Sequence, residues 1–440
     1  MIRRNRFCQT VIMVKKYPKV FYGWWIVGAC FLITLYTGGV VFFGFTAVFE
    51  PLVSEFGWSY AQISLAASLR GFEMGLLAPL VGLVVDRWKP RRLIFGGAIF
   101  IGIGLMLLSL INSLGMFYGA FILVAIGMSA LSSTVLLTAV VNWFRGKVAI
   151  ATGIVVSGYA VGGVLVPVVT VLIDKYEWRM AMIILGLYTW VIALPLSLLV
   201  RHKPEQYGYL PDGDVSSPVV VDGSLTSARS TEVDIPTREA GTRSVFWRIA
   251  LASMCHMLIT SAVVTHVMPY LTSIGISRSA SSLAAGALTL ASIGGRLGFG
   301  WLGDRLDKRG VAALGFALMS LGLLSFGYLG SGWTWLLLPF LILFSTGWGG
   351  SVTMRATLLR EYFGRSRFGK FYGFVTGVAM LGSIVGAPLA GWVFDTWGTY
   401  QWIWFAFAGL GVIAVTLITT ISGPHSSSTK GKLAGATPIG

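Results

Sequence analysis

Acidic side chains are scarce in this sequence. Only 17 Asp and Glu stand against 33 Lys and Arg in 440 residues, and charged residues of both signs make up 11%. A soluble globular chain carries about 25%, so an ordinary soluble domain is excluded. Cysteine is nearly absent: Cys8, Cys30 and Cys255 lie far apart, which excludes a disulfide framework or a zinc spacing and leaves them as small apolar residues. No G-x-x-x-x-G-K-[ST] loop occurs, so ATP does not drive this chain directly. The apolar runs contain no paired acids, metal-ligand cluster or Ser/His/Asp arrangement. Enzymatic chemistry is therefore not expected, and neither catalytic residues, a metal nor a cofactor is implied. The net charge of +16 sits in short clusters between apolar runs. It makes no basic stripe interleaved with stacking aromatics, which excludes nucleic acid as a partner.

What is present is apolar surface. Hydrophobic residues are 55% of the chain and mean hydropathy is +0.78. Ile94–Phe144 and Gly310–Met354 carry no charge at all, and each could cross a hydrocarbon core twice at ~20 residues per crossing. Lipid offers the backbone no hydrogen-bond partner, so spans are helices or closed barrels. Barrel strands alternate with a period of two, whereas these runs are apolar all round, and helices follow.

The pattern predicts an all-α integral membrane protein with twelve transmembrane helices. The first six fall near 22–49, 60–84, 91–111, 115–142, 147–173 and 179–200. The second six fall near 245–271, 280–303, 310–330, 333–360, 368–394 and 400–422. Residues 1–20 form a basic N-terminal segment, and the apolar run after it, Phe21 to Phe49, is longer than a signal-peptide core and lacks an A-x-A cleavage site, so it reads as a retained span. Two six-helix units, 21–200 and 245–422, flank a stretch 201–244 rich in Ser, Asp, Thr, Pro and Gly, which reads as a flexible linker. Residues 423–440 read as a disordered tail.

Cations distribute unevenly about these spans. The N-terminus, Arg87-Lys89-Arg91-Arg92, Arg145-Lys147, the linker, Arg305-Lys308-Arg309 and Arg360-Arg365-Arg367-Lys370 share one side; Lys175, Arg179 and Arg278 stand on the other. The positive-inside rule places both termini and the linker in the cytoplasm and the protein in a cell (inner or plasma) membrane. The halves also repeat: Gly82…Asp86-Arg87…Arg91-Arg92 matches Gly300…Asp304-Arg305…Arg309, and Trp143-Phe144-Arg145…Gly153 matches Tyr362-Phe363-Gly364…Gly373, with copies 218 to 220 residues apart. Parallel repeats about an axis along the membrane normal characterise one class of transporter whose site lies between the halves.

The G-x-x-x-D-R-x-x-x-R pattern at Gly82, Asp86, Arg87 and Arg91, kept in the second copy, resembles the cytoplasmic loop signature of the major facilitator superfamily. Closer features resemble its monocarboxylate-transporter and oxalate/formate-antiporter branch. These are Tyr22-Gly23-Trp24-Trp25, Trp143-Phe144-Arg145-Gly146, Ser157-Gly158-x-x-x-Gly162-Gly163-x-x-x-Pro167, Lys203-Pro204-Glu205-Gln206-Tyr207-Gly208, His266-Val-Met-Pro269-Tyr270-Leu271 and Glu361-Tyr362-Phe363-Gly364-Arg365. The resemblance implies two pseudo-symmetric six-helix bundles. It also implies a cytoplasmic latch of Asp86, Arg87, Arg91, Asp304, Arg305 and Arg309, a charge network that releases as the carrier switches. The fifth-helix glycines have a physical meaning of their own, since small residues at four-residue spacing let helices approach closely.

Ionisable residues inside spans are functional candidates because they are costly. Arg296 lies eight residues before Asp304, about 12 Å from the helix end, among Gly294, Gly295 and Gly298, which leave room beside it. Its fork matches a carboxylate, and the resemblance implies that it binds the substrate carboxylate. Arg70 and Glu73 share a helix face, as a self-neutralising pair or an outer gate. Arg355 is a snorkelling or inter-helix partner with a possible part in coupling. His256 is a proton relay or substrate contact, with a neutral hydrogen-bond partner across helices as the plain alternative, and His266 is weaker. Tyr36, Tyr159 and Trp348 fall at mid-membrane depth on helices that line the cavity in this family, which implies substrate contact, with lipid-facing or core packing as the plain alternative.

Departures limit the transfer. The oxalate-type branch carries a lysine in the eleventh helix, and none occurs from Val375 to Pro388. The animal proton-coupled carriers have a lysine in the first helix, absent here, and an acid where this chain has Ser292. One central cation suits a single carboxylate. The expectation is a monomeric secondary transporter of a small organic anion, a lactate- or pyruvate-like monocarboxylate, with proton symport by alternating access. Its rivals are an anion antiporter, a facilitator of another solute and, remotely, a non-transporting membrane sensor, for which 201–244 is too short and polar to supply a signalling domain.

Overall fold

The computed structural model describes residues 21–72, 90–144, 147–201, 204–207 and 239–421; within these, side chains are described outside 70–72, 149, 205, 239–243 and 364–370. Every regular element among the described residues is a helix, the form that satisfies backbone polar groups inside one apolar segment. Among the described residues, ten stretches are long and apolar enough to cross a bilayer. One of them, Ile150–Leu199, spans ~75 Å of helix at 1.5 Å per residue, enough for two crossings.

Helix α1 is Tyr22–Phe56, α2 begins with Tyr60–Phe72, α3 is Pro90–Leu108 and α4 is Leu114–Val141. Helix α5 opens with Val148–Val161 and passes through a tight turn at Gly162–Val164. The run Leu165–Leu199 that follows breaks at Glu177, whose φ of 63° and ψ of 157° are not helical. There α5 gives way to α6. Beyond lie α7 (Glu239–Ser273), α8 (Arg278–Arg305), α9 (Lys308–Tyr328) and α12 (Gln401–Thr419). Helix α10 falls in the apolar stretch Thr334–Phe363 and α11 in Phe371–Trp397.

Helical conformation extends over Leu337–Trp397, which as one straight rod would reach ~90 Å. The chain nevertheless reverses. The rings of Phe363 and Phe371, eight residues apart, stack at 4.0 Å, where a straight helix would separate them by ~12 Å. Both arms also pack on α7: the ring of His256 meets the Trp348 backbone, and a Cβ on Gly386 would lie 2.1 Å from the Leu258 carbonyl.

Two boundaries differ from expectation. Helix α1 extends seven residues beyond the expected 49, because a π-helical stretch at Thr37–Phe43 carries it into a second amphipathic segment that ends at Gly57, φ 65°. Helix α7 starts at Glu239 rather than near 245. Gly398, φ 67°, ends α11 in the same left-handed way as Gly57 ends α1, a conformation that glycine adopts without strain.

The fifth-helix glycines are contact surfaces. A Cβ on Gly158 would meet Thr34 and Phe31 of α1, and one on Gly162 would lie 2.4 Å from the Leu35 carbonyl. Gly163 faces the other bundle, where a Cβ would meet Thr289 of α8. Large apolar side chains such as Val168, Val191, Leu338 and Trp402 stay more than half exposed, which suits a surface solvated by lipid rather than by water.

Candidate functional site

Arg296 is half-buried on α8, held by backbone contact with α10. A Cβ on Gly295 would lie 2.2 Å from the Thr346 carbonyl, and one on Gly349 would lie 2.0 Å from the Ser292 carbonyl and 2.9 Å from the Arg296 nitrogen. Thr353 Oγ1 reaches the Arg296 carbonyl at 3.5 Å. The Nε of Arg296 is buried without a hydrogen-bond partner, and no Asp or Glu among the described residues pairs with it. An ionised group partly withdrawn from water with no acidic partner is a costly arrangement.

Trp348 is buried on α10 and faces Phe43 of α1 across the boundary between bundles, with ring centroids 6.3 Å apart. Phe43 in turn meets Tyr159 of α5 at 5.8 Å, and Phe42 meets Tyr159 at 5.3 Å. Tyr159 and Trp348 are thus linked through Phe43, a residue the sequence did not single out. Ser292 is fully buried, and its hydroxyl donates to the Thr289 carbonyl at 2.6 Å, a bond internal to α8.

Tyr36 is placed apart from this group. Its hydroxyl donates to the Leu185 carbonyl at 2.5 Å and accepts from Thr189 Oγ1 at 3.3 Å, tying α1 to α6 inside the N-terminal bundle. His256 and Arg355 share a chamber within the C-terminal bundle with Ser253 and Ser351. The Cζ of Arg355 lies 5.7 Å from the Tyr372 ring.

Among the gate and latch residues, the side chain of Arg70 and the whole of Glu73, Asp86 and Arg87 lie outside the described residues. Arg91 is exposed. Asp304 is exposed and forms no ion pair with a described residue, while Arg305 stacks on the Trp301 ring at 4.1 Å. Arg309 donates to Asp307 at 3.3 Å and to the Ile421 carbonyl at 2.9 Å. Lys308 and Glu361 pair at 3.7 Å.

The end of the bundles away from residues 201 and 421 carries a polar seam, of which sequence reasoning named His266 and Arg278 without their partners. Asp395 on α11 accepts from the backbone N–H groups of Tyr60 and Ala61 at 2.8 Å each. His266, fully buried, places Nε2 2.9 Å from both Ser64 Oγ of α2 and the Ala387 carbonyl of α11, and Nδ1 2.9 Å from the Tyr400 hydroxyl. Arg278 bridges Asp174 at 2.7 Å and the Ala47 carbonyl at 2.6 Å. Thr46 donates to the Thr265 carbonyl at 3.0 Å. Signals existed in the opposite charges of Asp174 and Arg278 and in an acid near the end of an apolar run, but nothing local names their partners.

An all-helical, multi-pass membrane protein with helix pairs locked across a bundle boundary and a lone arginine in one span is built as a carrier. A family model for the Major Facilitator Superfamily matches residues 25–361 and again 249–439, and the chain belongs to that superfamily of membrane transporters. It is similar to Monocarboxylate transporter 12-B of Danio rerio, with 28% identity over 414 residues, 90% of this chain and 86% of that one. It is also similar to the Oxalate:formate antiporter of Oxalobacter formigenes, with 22% identity over 376 residues, 85% of each chain. Its fold matches a crystal structure of the nucleoside transporter NupG, a mutant form, with a TM-score of 0.72 at 14% identity, covering 92% of this chain and 100% of that one.

Proposed function

We propose that this transporter carries a small organic anion, a monocarboxylate, together with a proton by alternating access. One observation carries the reading: Arg296 sits within a span with a buried, unpartnered Nε and no described acid to neutralise it. A carboxylate supplies two acceptor oxygens and one negative charge, the complement of that fork. Relatives named as a monocarboxylate transporter and an oxalate:formate antiporter support the same cargo class. One proton with one carboxylate makes the loaded carrier's added charge zero, which lowers the cost of moving it through a low-dielectric core.

In this scheme Arg296 holds the carboxylate, while Trp348 and Tyr159, joined through Phe43, wall the path between bundles. The two bundles, 21–200 and 245–422, rock about that point as a monomer, with the termini and the 201–244 linker in the cytoplasm and the protein in a cell membrane. Arg70 and Glu73 gate the opposite side, and the pairs around Asp86 and Asp304 latch the cytoplasmic one. The far-end seam of Asp395 and His266 closes the external gate in the state seen here.

The test is equilibrium binding of C1–C6 carboxylates to purified protein, wild type against Arg296→Gln. Loss of one partner of a desolvated charge pair costs about 2–4 kcal/mol, so affinity falls by ~30-fold or more. Unchanged carboxylate affinity in a folded Arg296→Gln protein sinks the assignment. In proteoliposomes, uptake driven by an inward pH gradient supports symport. A strict need for internal anion would replace symport with exchange.

A further inference from the structure

The C-terminal bundle holds a second set of unpartnered polar atoms. Helices α7, α9, α10 and α12 enclose a chamber lined by Ser253, His256, Phe316, Ser351, Arg355 and Ile418, among others, with about 10 Å³ of free space. That volume admits about one water-sized body. Arg296 is not in its wall.

The polar lining is rich in donors and positive in charge. Arg355 brings a guanidinium to the wall, and its Nε and Nη1 are buried without a hydrogen-bond partner. His256 is 2% exposed, and its Nε2 is equally unpartnered. The hydroxyl of Ser253 can turn a proton inward, while that of Ser351 donates to Met319 Sδ at 3.7 Å. No described acid answers Arg355: Glu361, the nearest along the helix, pairs with Lys308. The ring of Tyr372 lies 5.7 Å from the guanidinium, a contact worth far less than a counter-charge.

One water could accept from two of these donors but would leave the charge in place. A cation would be repelled. A carboxylate carries a carbon chain that ~10 Å³ cannot hold. A monatomic anion meets all three conditions: it is about water-sized, accepts from several donors at once, and compensates the buried guanidinium. We propose that this chamber is a halide site, filled by chloride under ordinary salt, with Arg355 as its principal donor. Chloride there offsets the charge of Arg355, and because Arg296 is not among the lining residues the two sites are tested by separate substitutions.

Thermal unfolding of the purified full-length protein, followed by tryptophan fluorescence at constant ionic strength, provides the test. Chloride and bromide should raise the midpoint saturably by several degrees over gluconate, which is too large to enter, because a ligand that binds only the folded state stabilises it by mass action. Arg355→Gln should abolish that dependence, while Arg296→Gln, directed at the cargo contact, should keep it. Equal midpoints in chloride and gluconate overturn the proposal, as does a dependence that survives unchanged in Arg355→Gln. If Arg355→Gln does not fold, equilibrium binding of radioactive chloride to the wild type decides: one saturable site per chain supports the proposal, and none rejects it.

Discussion

The carboxylate of Asp395 caps helix α2 at Tyr60 across the boundary between the two bundles, with one oxygen on the Tyr60 N–H and the other on the Ala61 N–H, 2.8 Å each. The first N–H groups of a helix lack partners within it, and a carboxylate there also meets the positive end of the helix dipole. Usually such a cap comes from the same chain segment. Here it comes from 335 positions away, so opening this end of the carrier must break it.

Asp395→Ala should therefore favour the state open at that end. A cap is worth about 0.5–2 kcal/mol, which changes the ratio of two states by ~2- to 30-fold. Spin labels at Ser54 and Ser331, both exposed at this end of different bundles, would report it as growth of the longer-distance population. An unchanged distance distribution would show that the cap is energetically idle.

His266 is the second clasp. Removing its ring strands the Tyr400 hydroxyl and the Ala387 carbonyl in a fully buried place, and each buried group left unpaired costs about 1–3 kcal/mol. His266→Ala should lower the unfolding midpoint of the purified protein by several degrees. His266→Gln, which keeps a donor and an acceptor, should recover part of that loss. Equal midpoints for Ala and Gln would show that shape rather than hydrogen bonding matters there.

The glycine pattern of α5 makes a graded prediction. A methyl group on Gly162 would meet two backbone atoms of α1, the Leu35 carbonyl at 2.4 Å and the Gly39 nitrogen at 2.7 Å, whereas one on Gly153 meets nothing within 4 Å. Gly162→Ala should destabilise by about 1–3 kcal/mol through overpacking. Gly153→Ala should be neutral or slightly stabilising, because alanine is the better helix former. Thermal unfolding in detergent separates the two, and equal effects would refute the packing account.

These cases mark what the amino-acid order could show. Hydropathy is a local property, so the apolar runs announced the spans and the repeat announced two bundles. Arg296 stood out because a cation inside an apolar run is visible without knowing its neighbours. The clasp at Asp395 and the bond from Tyr36 to Leu185 depend on partners 335 and 149 positions away, and no periodicity carries that pairing. Phe43 escaped notice for a related reason. In a chain where aromatics are 13% of residues, only the fold shows which one touches Trp348. The break at Glu177 falls in the expected gap between 173 and 179, although its backbone turn sits on a non-glycine residue, with no glycine or proline to fix the exact position.

Gly349→Ala tests whether Arg296 needs its position as well as its charge. The added methyl group would press on the Ser292 carbonyl at 2.0 Å and the Arg296 nitrogen at 2.9 Å, and neither is a flexible tip. The α8–α10 backbones must then separate, which carries the guanidinium with them while every charge stays in place. A carboxylate held by two parallel hydrogen bonds is sensitive to such a shift. Affinity for the anion should fall by ~10-fold or more, since one weakened charge-assisted bond is worth about 1.5–3 kcal/mol. Gly298→Ala, on the same helix with nothing within 4 Å of the new methyl group, should bind as the wild type does. Equal affinity in Gly349→Ala and Gly298→Ala would mean that Arg296 acts as a diffuse charge, and the bidentate geometry would have to be given up.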